Sequence, residues 1–173
     1  MSDFFEKVTS GQDIFKNLAS KIPGFGGYVE RQNRRAADKL LRETAARRFE
    51  ELYARASALQ ADLASNGMIS VVDDMEKAAI KIRTFIDKVG MAAYGTSGLF
   101  DAVKINEKEL EQLYQFDSGF FAIGDQIASA LDNVEASLGD EDALPAAIRN
   151  VTSLAREAVK LFERRAEVFT GSQ

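Results

Sequence analysis

A chain of 173 residues, 46% of them apolar and 28% charged, is long enough to bury one sizeable core and has the make-up of an ordinary globular protein. It contains no cysteine and no histidine, which excludes disulfides, thiol chemistry and thiolate metal sites, and also the usual general base, the commonest transition-metal ligand and the Glu-x-x-His pattern of di-iron bundles. The net charge of −5 is uneven: residues 1–48 carry ten Lys/Arg against six Asp/Glu, and residues 49–173 carry twelve against twenty-one.

The first predicted element is an amphipathic helix over residues 3–22. Phe4, Val8, Phe15, Leu18 and Ile22 fall on one stripe at helical spacing, Ile14 lies just outside it, Phe5 lies off it, and Gly11 is a candidate kink. PGFGG at 23–27 reads as a stop and a hinge. Residues 28–66 contain neither Gly nor Pro, and Leu41, Ala45, Phe49, Leu52, Ala56, Leu59 and Leu63 recur at spacings of four and three. That pattern predicts a helix of about 58 Å at the usual rise, ended by Asn66-Gly67. The basic run RQNRRAADKLLRETAARR lies within it and offers Arg31, Arg34, Arg35 and Arg42 as a candidate basic surface. Such a run is either a solvated face or a contact for an anionic partner or membrane.

A second long helix is expected from about Ser70, where Ser70 and Asp73 resemble a capping box, to Gly95. Its stripe is Val71, Met75, Ala78, Ile82, Phe85, Val89 and Ala93. The first long helix then outruns it by about 20 Å at the usual rise per residue. A third runs from about 107 to 138, with Asn106 and Glu109 as a capping pair and Ile105 with Leu110 as a hydrophobic staple. Its stripe is Leu110, Leu113, Asp117, Phe120, Ile127, Leu131, Val134 and Leu138. LGDED is a turn, and the last helix runs from near Asp142 to near Phe169, with Pro145 in its first turn. Its stripe is Ile148, Val151, Ala155, Ala158, Phe162, Arg165 and Phe169. The fold class is therefore all-α: an antiparallel bundle of four long helices (28–173) with an N-terminal amphipathic helix and glycine-rich hinge (1–27). No run of about 18 apolar residues occurs, and the start of the chain lacks a basic, then apolar, secretory signal. The expected location is cytoplasmic.

The least generic stretch is YGTSGLFDAVKINEKELEQLYQFD, residues 94–117. Leu99, Phe100, Val103 and Ile105 read as apolar plugs for the bundle end. Asp117 sits on an apolar stripe, so its carboxylate needs partners: backbone N–H groups of the loop, or an arginine such as Arg35 or Arg42. The alternative is a polar pocket of Tyr94, Asp101, Tyr114 and Asp117, in which two carboxylates do acid–base work or hold a hard cation. No third ligand is placed by spacing, so no metal site, cofactor or catalytic set is assigned, and the corner of a helix connection is the preferred reading.

The pattern Y-G-x-x-G-L-F-D-A-V-K-I followed by L-Y-x-F-D resembles a group of uncharacterised bacterial all-helical proteins, in which an arginine-rich helix follows a glycine-rich segment, as in GFGGYVERQNRRAADKLLR here. The resemblance covers residues 25–120. It implies a helical fold and carries no activity. Residues 3–22 are also similar, in amphipathic character alone, to the membrane-binding helix of phage-shock membrane-stress proteins. Three lysines against three acids leave that helix neutral, whereas interfacial helices are usually basic. Docking on the bundle or on another subunit is the competing expectation.

The functional expectations are ordered accordingly. A non-enzymatic interaction or scaffold bundle comes first, self-associating or binding a protein partner. A peripheral membrane-surface protein using the N-terminal helix is second. A divalent-cation or ligand site at Asp101 and Asp117 is third. Nucleic acid is last, because the basic run stands alone in an acidic chain.

Overall fold

The computed structural model describes residues 11–30, 34–95 and 107–170. These form six helices: α1 (Gly11–Lys21), α2 (Phe25–Glu30), α3 (Arg34–Ser65), α4 (Ile69–Gly95), α5 (Glu107–Ala136) and α6 (Leu144–Thr170). There is no strand among the described residues. The all-α expectation holds, and so do the four long helices, which begin and end within a few residues of the predicted limits. The exception is the start of the first. A separate short helix, α2, occupies Phe25–Glu30, and α3 then begins at Arg34.

Two local signals behave differently from expectation. PGFGG is not a hinge along its length, because only Pro23 and Gly24 form the turn. Gly24 takes the left-handed conformation at φ 87°, and the helix resumes at Phe25, which is fully buried. Burial of Phe25 against α1 and α3 outweighs the poor helix propensity of Gly26 and Gly27. Ser70 is not the cap of α4 either: the helix begins at Ile69, so Ser70 lies inside its first turn. The Asn66-Gly67 stop does form. Gly67 adopts φ 74°, the Met68 N–H donates to the Leu63 carbonyl at 2.9 Å, and the Gly67 N–H donates to the Ala64 carbonyl at 3.1 Å. That pair of bonds is the Schellman arrangement. At the other turn, the Asp140 carboxylate accepts from the Asp142 and Ala143 N–H groups, both at 3.0 Å, and so satisfies donors ahead of α6.

The four long helices run alternately up and down. α3 packs beside α4 and α5, and α6 beside α4 and α5. α3 and α6 are therefore diagonal, and so are the sequential neighbours α4 and α5. Surface pairs report direction. Arg48 meets Asp125 and Arg55 meets Asp132, a constant offset along α3 and α5 that makes this adjacent pair parallel. At the observed lengths α3 exceeds α4 by five residues, or roughly 8 Å, well short of the expected overhang.

The main core runs through the bundle. At its lower end one phenylalanine from each helix forms an aromatic layer. The Phe49 and Phe85 rings lie 3.9 Å apart, Phe85 and Phe120 5.3 Å, and Phe120 and Phe162 6.0 Å, by centroid. α5 and α6 approach closely here, since a Cβ built on Gly119 would lie 2.7 Å from a Leu161 methyl.

A second apolar cluster is built where α1 and α2 lie along the lower seam between α3 and α5. It joins Ile14, Leu18, Ile22 and Phe25 to Ala37, Leu41 and Ala45 of α3 and to Tyr114 and Phe121 of α5. The described part of the N-terminal helix is thus docked on the bundle. Its buried face is centred on Ile14, Leu18 and Ile22, with Phe15 half-buried. Ile14, placed outside the stripe on sequence grounds, belongs to it, because docking against the concave α3–α5 seam buries a wider sector than a flat contact would. Phe4, Phe5 and Val8 lie outside the described residues, as do Leu99, Phe100, Val103, Ile105 and Asn106.

Candidate functional site

Between the two apolar clusters lies a layer of buried charge. Its members are Asp38 and Arg42 on α3, Asp117 on α5 and Arg165 on α6, all buried. Helical periodicity places them. Asp117 stands one turn before Phe120 and Arg165 one turn after Phe162 on the inward stripes. Because α5 and α6 are antiparallel, the two residues fall on the same level, next to the aromatic layer. Asp38 and Arg42 are four residues apart on one helix face, the spacing at which opposite charges meet.

Arg165 ties the layer together. Its Nε donates to Asp117 Oδ1 at 2.7 Å, and its Nη2 is 3.5 Å from Asp117 Oδ2. The same Nη2 donates to Asp38 Oδ1, spanning the bundle diagonal from α6 to α3. Asp38 Oδ2 in turn accepts from Arg42 Nε at 2.7 Å. Two carboxylates thus hold two guanidinium groups, and three helices are fastened at one level. Burial works against charge here. It pushes the Asp117 carboxyl up to about 6, against the opposing attraction of Arg165. Burial also works against the Arg165 cation, but the attraction of Asp117 and Asp38 overrides it and drives the guanidinium pKa upward.

Tyr114 borders this layer on the side of the second cluster. Its ring meets Phe25 edge-on at 5.5 Å. Burial first, and then the field of Asp117, push its phenol up to about 12. Among the described residues, two buried polar side-chain atoms make no hydrogen bond: Arg42 Nη1 and the Tyr114 hydroxyl.

Of the four residues proposed from sequence as a polar site, the structure brings Tyr114 and Asp117 together on α5, one turn apart. The Tyr94 side chain and Asp101 lie outside the described residues. Asp117 is buried and paired with an arginine, as expected, but the partner is Arg165 and not Arg35 or Arg42. The proposed basic surface also needs correction. Arg42 is buried on Asp38 and contributes nothing to the surface, because α1 and α2 cover that face of α3. Arg35 is exposed, Arg34 half-buried, and Arg31 outside the described residues. Sequence reasoning missed Asp38 and the role of Arg165. The signal for Arg165 was present, since it interrupts an apolar stripe just as Asp117 does, with the opposite charge.

Among the described residues no group of three or more acids, such as could hold a metal ion, is found, and no helix is long and apolar enough to cross a membrane. An open groove lined by Asp125, Ser129, Asn133, Asn150 and Leu154 lies farther along α5. No family model, no curated protein and no solved structure matches the chain.

Proposed function

We propose that this chain is a non-enzymatic helical bundle that works by binding another protein through a helix face, a second copy of itself being the first partner to test. The observation that supports this reading is the outer face of α4. Ile69, Ile80 and Met91 are the large apolar side chains exposed among the described residues. All three lie on one helix, eleven residues apart. Eleven residues at about 100° each return to within roughly 20° of the starting direction, so the three side chains line one stripe about 33 Å long by the usual rise. Apolar side chains scattered singly need no explanation, whereas an aligned series facing water is the footprint of a helix partner.

The interior supports the same reading from the other side. The carboxylates that would serve as an acid, a base or a cation ligand are held by Arg165 and Arg42, so a reaction at Asp117 would first have to break a buried ion pair. The membrane-surface reading needs Ile14, Leu18 and Ile22, the side chains that seal the second cluster.

The test is light scattering of the full-length protein across a wide concentration range, for wild type and for Ile80→Lys. Self-association through α4 gives a wild-type mass that rises with concentration and a variant that stays monomeric with an unchanged melting temperature. Equal association of the wild type and the Ile80→Lys variant would refute the assignment to this face.

A further inference from the structure

We propose that self-association through α4 is controlled by protons: laying two α4 faces together, in either direction, sets Asp73 and Asp87 of one copy against the same two acids of the other, and the contact tightens as these carboxylates are protonated.

The inference rests on the reading of α4 as a self-association surface and adds what regulates it. Ile80 stands midway between Ile69 and Met91, eleven residues from each, so the series matches a copy of itself whichever way that copy runs. In a parallel pair each side chain meets its own counterpart. In an antiparallel pair about a two-fold axis at Ile80, Ile80 meets Ile80 and Ile69 meets Met91. Charges beside the stripe fit a second copy as well. At about 100° per residue, Glu76 and Arg83 lie about 40° and 60° to one side of the Ile80 direction, and Lys77 about 60° to the other. Glu76, Lys77 and Arg83 are all exposed. An antiparallel copy brings its Arg83 to Glu76, and a parallel copy brings its Lys77 there. In both cases the heights agree within about one residue, or roughly 1.5 Å. Opposite charges flanking an apolar stripe are what a helix pair uses at its margins.

Two residues break the fit. Asp73 and Asp87 stand seven residues before and after Ile80, a spacing that returns to within about 20° of the same direction. Both are exposed, and both lie on the apolar stripe itself. A parallel copy puts Asp73 on Asp73 and Asp87 on Asp87. An antiparallel copy puts Asp73 on Asp87 at each end. Carboxylate therefore faces carboxylate at two levels in either arrangement. Two ionised acids so placed repel, and a proton held between them removes the repulsion. The chain's own cations do not neutralise this surface. Glu76 and Lys77 are the charged helical neighbours of Asp73, and Lys77 lies 3.3 Å from Asp74. Arg83 lies 3.3 Å from Asp87 and over the Tyr53 ring of α3. Lys88, next to Asp87, is 3.2 Å from Glu163 of α6. The pair of copies thus holds protons that the separate chains release, so association strengthens as pH falls.

The experiment measures the dissociation constant of the full-length protein by sedimentation velocity at pH 7.5 and 5.5, at constant ionic strength and with a chelator present. The wild type should associate at least tenfold more tightly at pH 5.5, because like charges brought together oppose a contact strongly. Acid also reduces the chain's net charge of −5. Glu50→Gln/Glu141→Gln removes two exposed acids off α4 and, as the control, should keep the wild-type response. Asp73→Asn/Asp87→Asn should be as tight at pH 7.5 as the wild type is at pH 5.5, and should lose the response. Labelled Asp73→Lys/Asp87→Lys, titrated with wild type at pH 7.5, should form a mixed pair at least tenfold tighter than wild type with itself, since every acid then faces a lysine in either direction. Both positions are exposed, so the circular dichroism of these variants should match wild type. Wild-type association equal at the two pH values, a full pH response in the Asn variant, or a mixed pair no tighter than the wild-type pair would each overturn the proposal, while a monomeric Ile80→Lys would leave the α4 reading standing. No association by any of these proteins would overturn both.

Discussion

Replacing Arg165 with Met keeps the length of an unbranched side chain and removes the group that joins Asp38 to Asp117. The contacts that vanish include two to Asp117, at 2.7 and 3.5 Å, and the diagonal one to Asp38. Asp38 keeps Arg42, but Asp117 is left as a buried carboxylate without its ion-pair partner. Breaking a buried pair from one side costs about 3–5 kcal/mol. Against a total stability of roughly 5–15 kcal/mol for a domain, and a urea slope of about 2 kcal/mol per molar, the midpoint should drop by about 1.5–2.5 M. The pH dependence makes the test specific. In the wild type the Asp117 carboxyl sits near 6, above its unfolded value of 3.8. The folded state therefore binds the proton more tightly, and this group's contribution to stability falls as pH rises from about 4 to about 6. Removing Arg165 takes away the attraction that opposes burial, so the carboxyl climbs further. The penalty for Arg165→Met should be largest at alkaline pH and smallest below about pH 6, where Asp117 is protonated in both proteins. Adding Asp117→Leu should restore much of the loss at neutral pH. Urea melts of the three proteins at several pH values decide the matter. An Arg165→Met midpoint equal to wild type at pH 7, or a penalty that does not change between pH 5 and pH 8, would refute this account of the layer.

Phe85 touches a phenyl ring from each of the other three long helices. Phe85→Ala should therefore cost about 3–5 kcal/mol, read as a lowered thermal midpoint, with a loss under about 1 kcal/mol marking the aromatic layer as unimportant. Gly67 ends α3 at φ 74° with nothing within 4 Å of a built Cβ, so the penalty for Gly67→Ala is one of backbone conformation alone. It should be about 1–2 kcal/mol, and Gly67→Asn should lose less because Asn tolerates that conformation better.

Helical periodicity and stop signals were legible in the chain itself. The stripes of α3 through α6 could be read at spacings of three and four because a helix against a core must present one apolar side. Gly67 could be read as a stop because the closing turn needs a positive φ. That Asp117 would be buried was legible too, since a lone acid on an apolar stripe has nowhere else to go. Its partner was not. A stripe gives the direction a side chain takes around its own helix and says nothing about which helix stands opposite. Arg165 reaches Asp38 only because α3 and α6 are diagonal across the axis, and no pattern along the chain distinguishes that arrangement from one with α4 opposite α3. The same limit explains Arg42, which looks like part of a basic surface in a run of arginines until the α1–α2 hairpin covers that face. It explains Phe25 and Ile14 as well. Glycines beside Phe25 suggest a break, and Ile14 falls outside a narrow stripe, yet the seam between α3 and α5 buries both. Local sequence determined where helices form and which side of each turns inward. The choice of neighbours, which converts two isolated charges into a layer and an amphipathic helix into a roof, was made by packing between segments far apart in the chain.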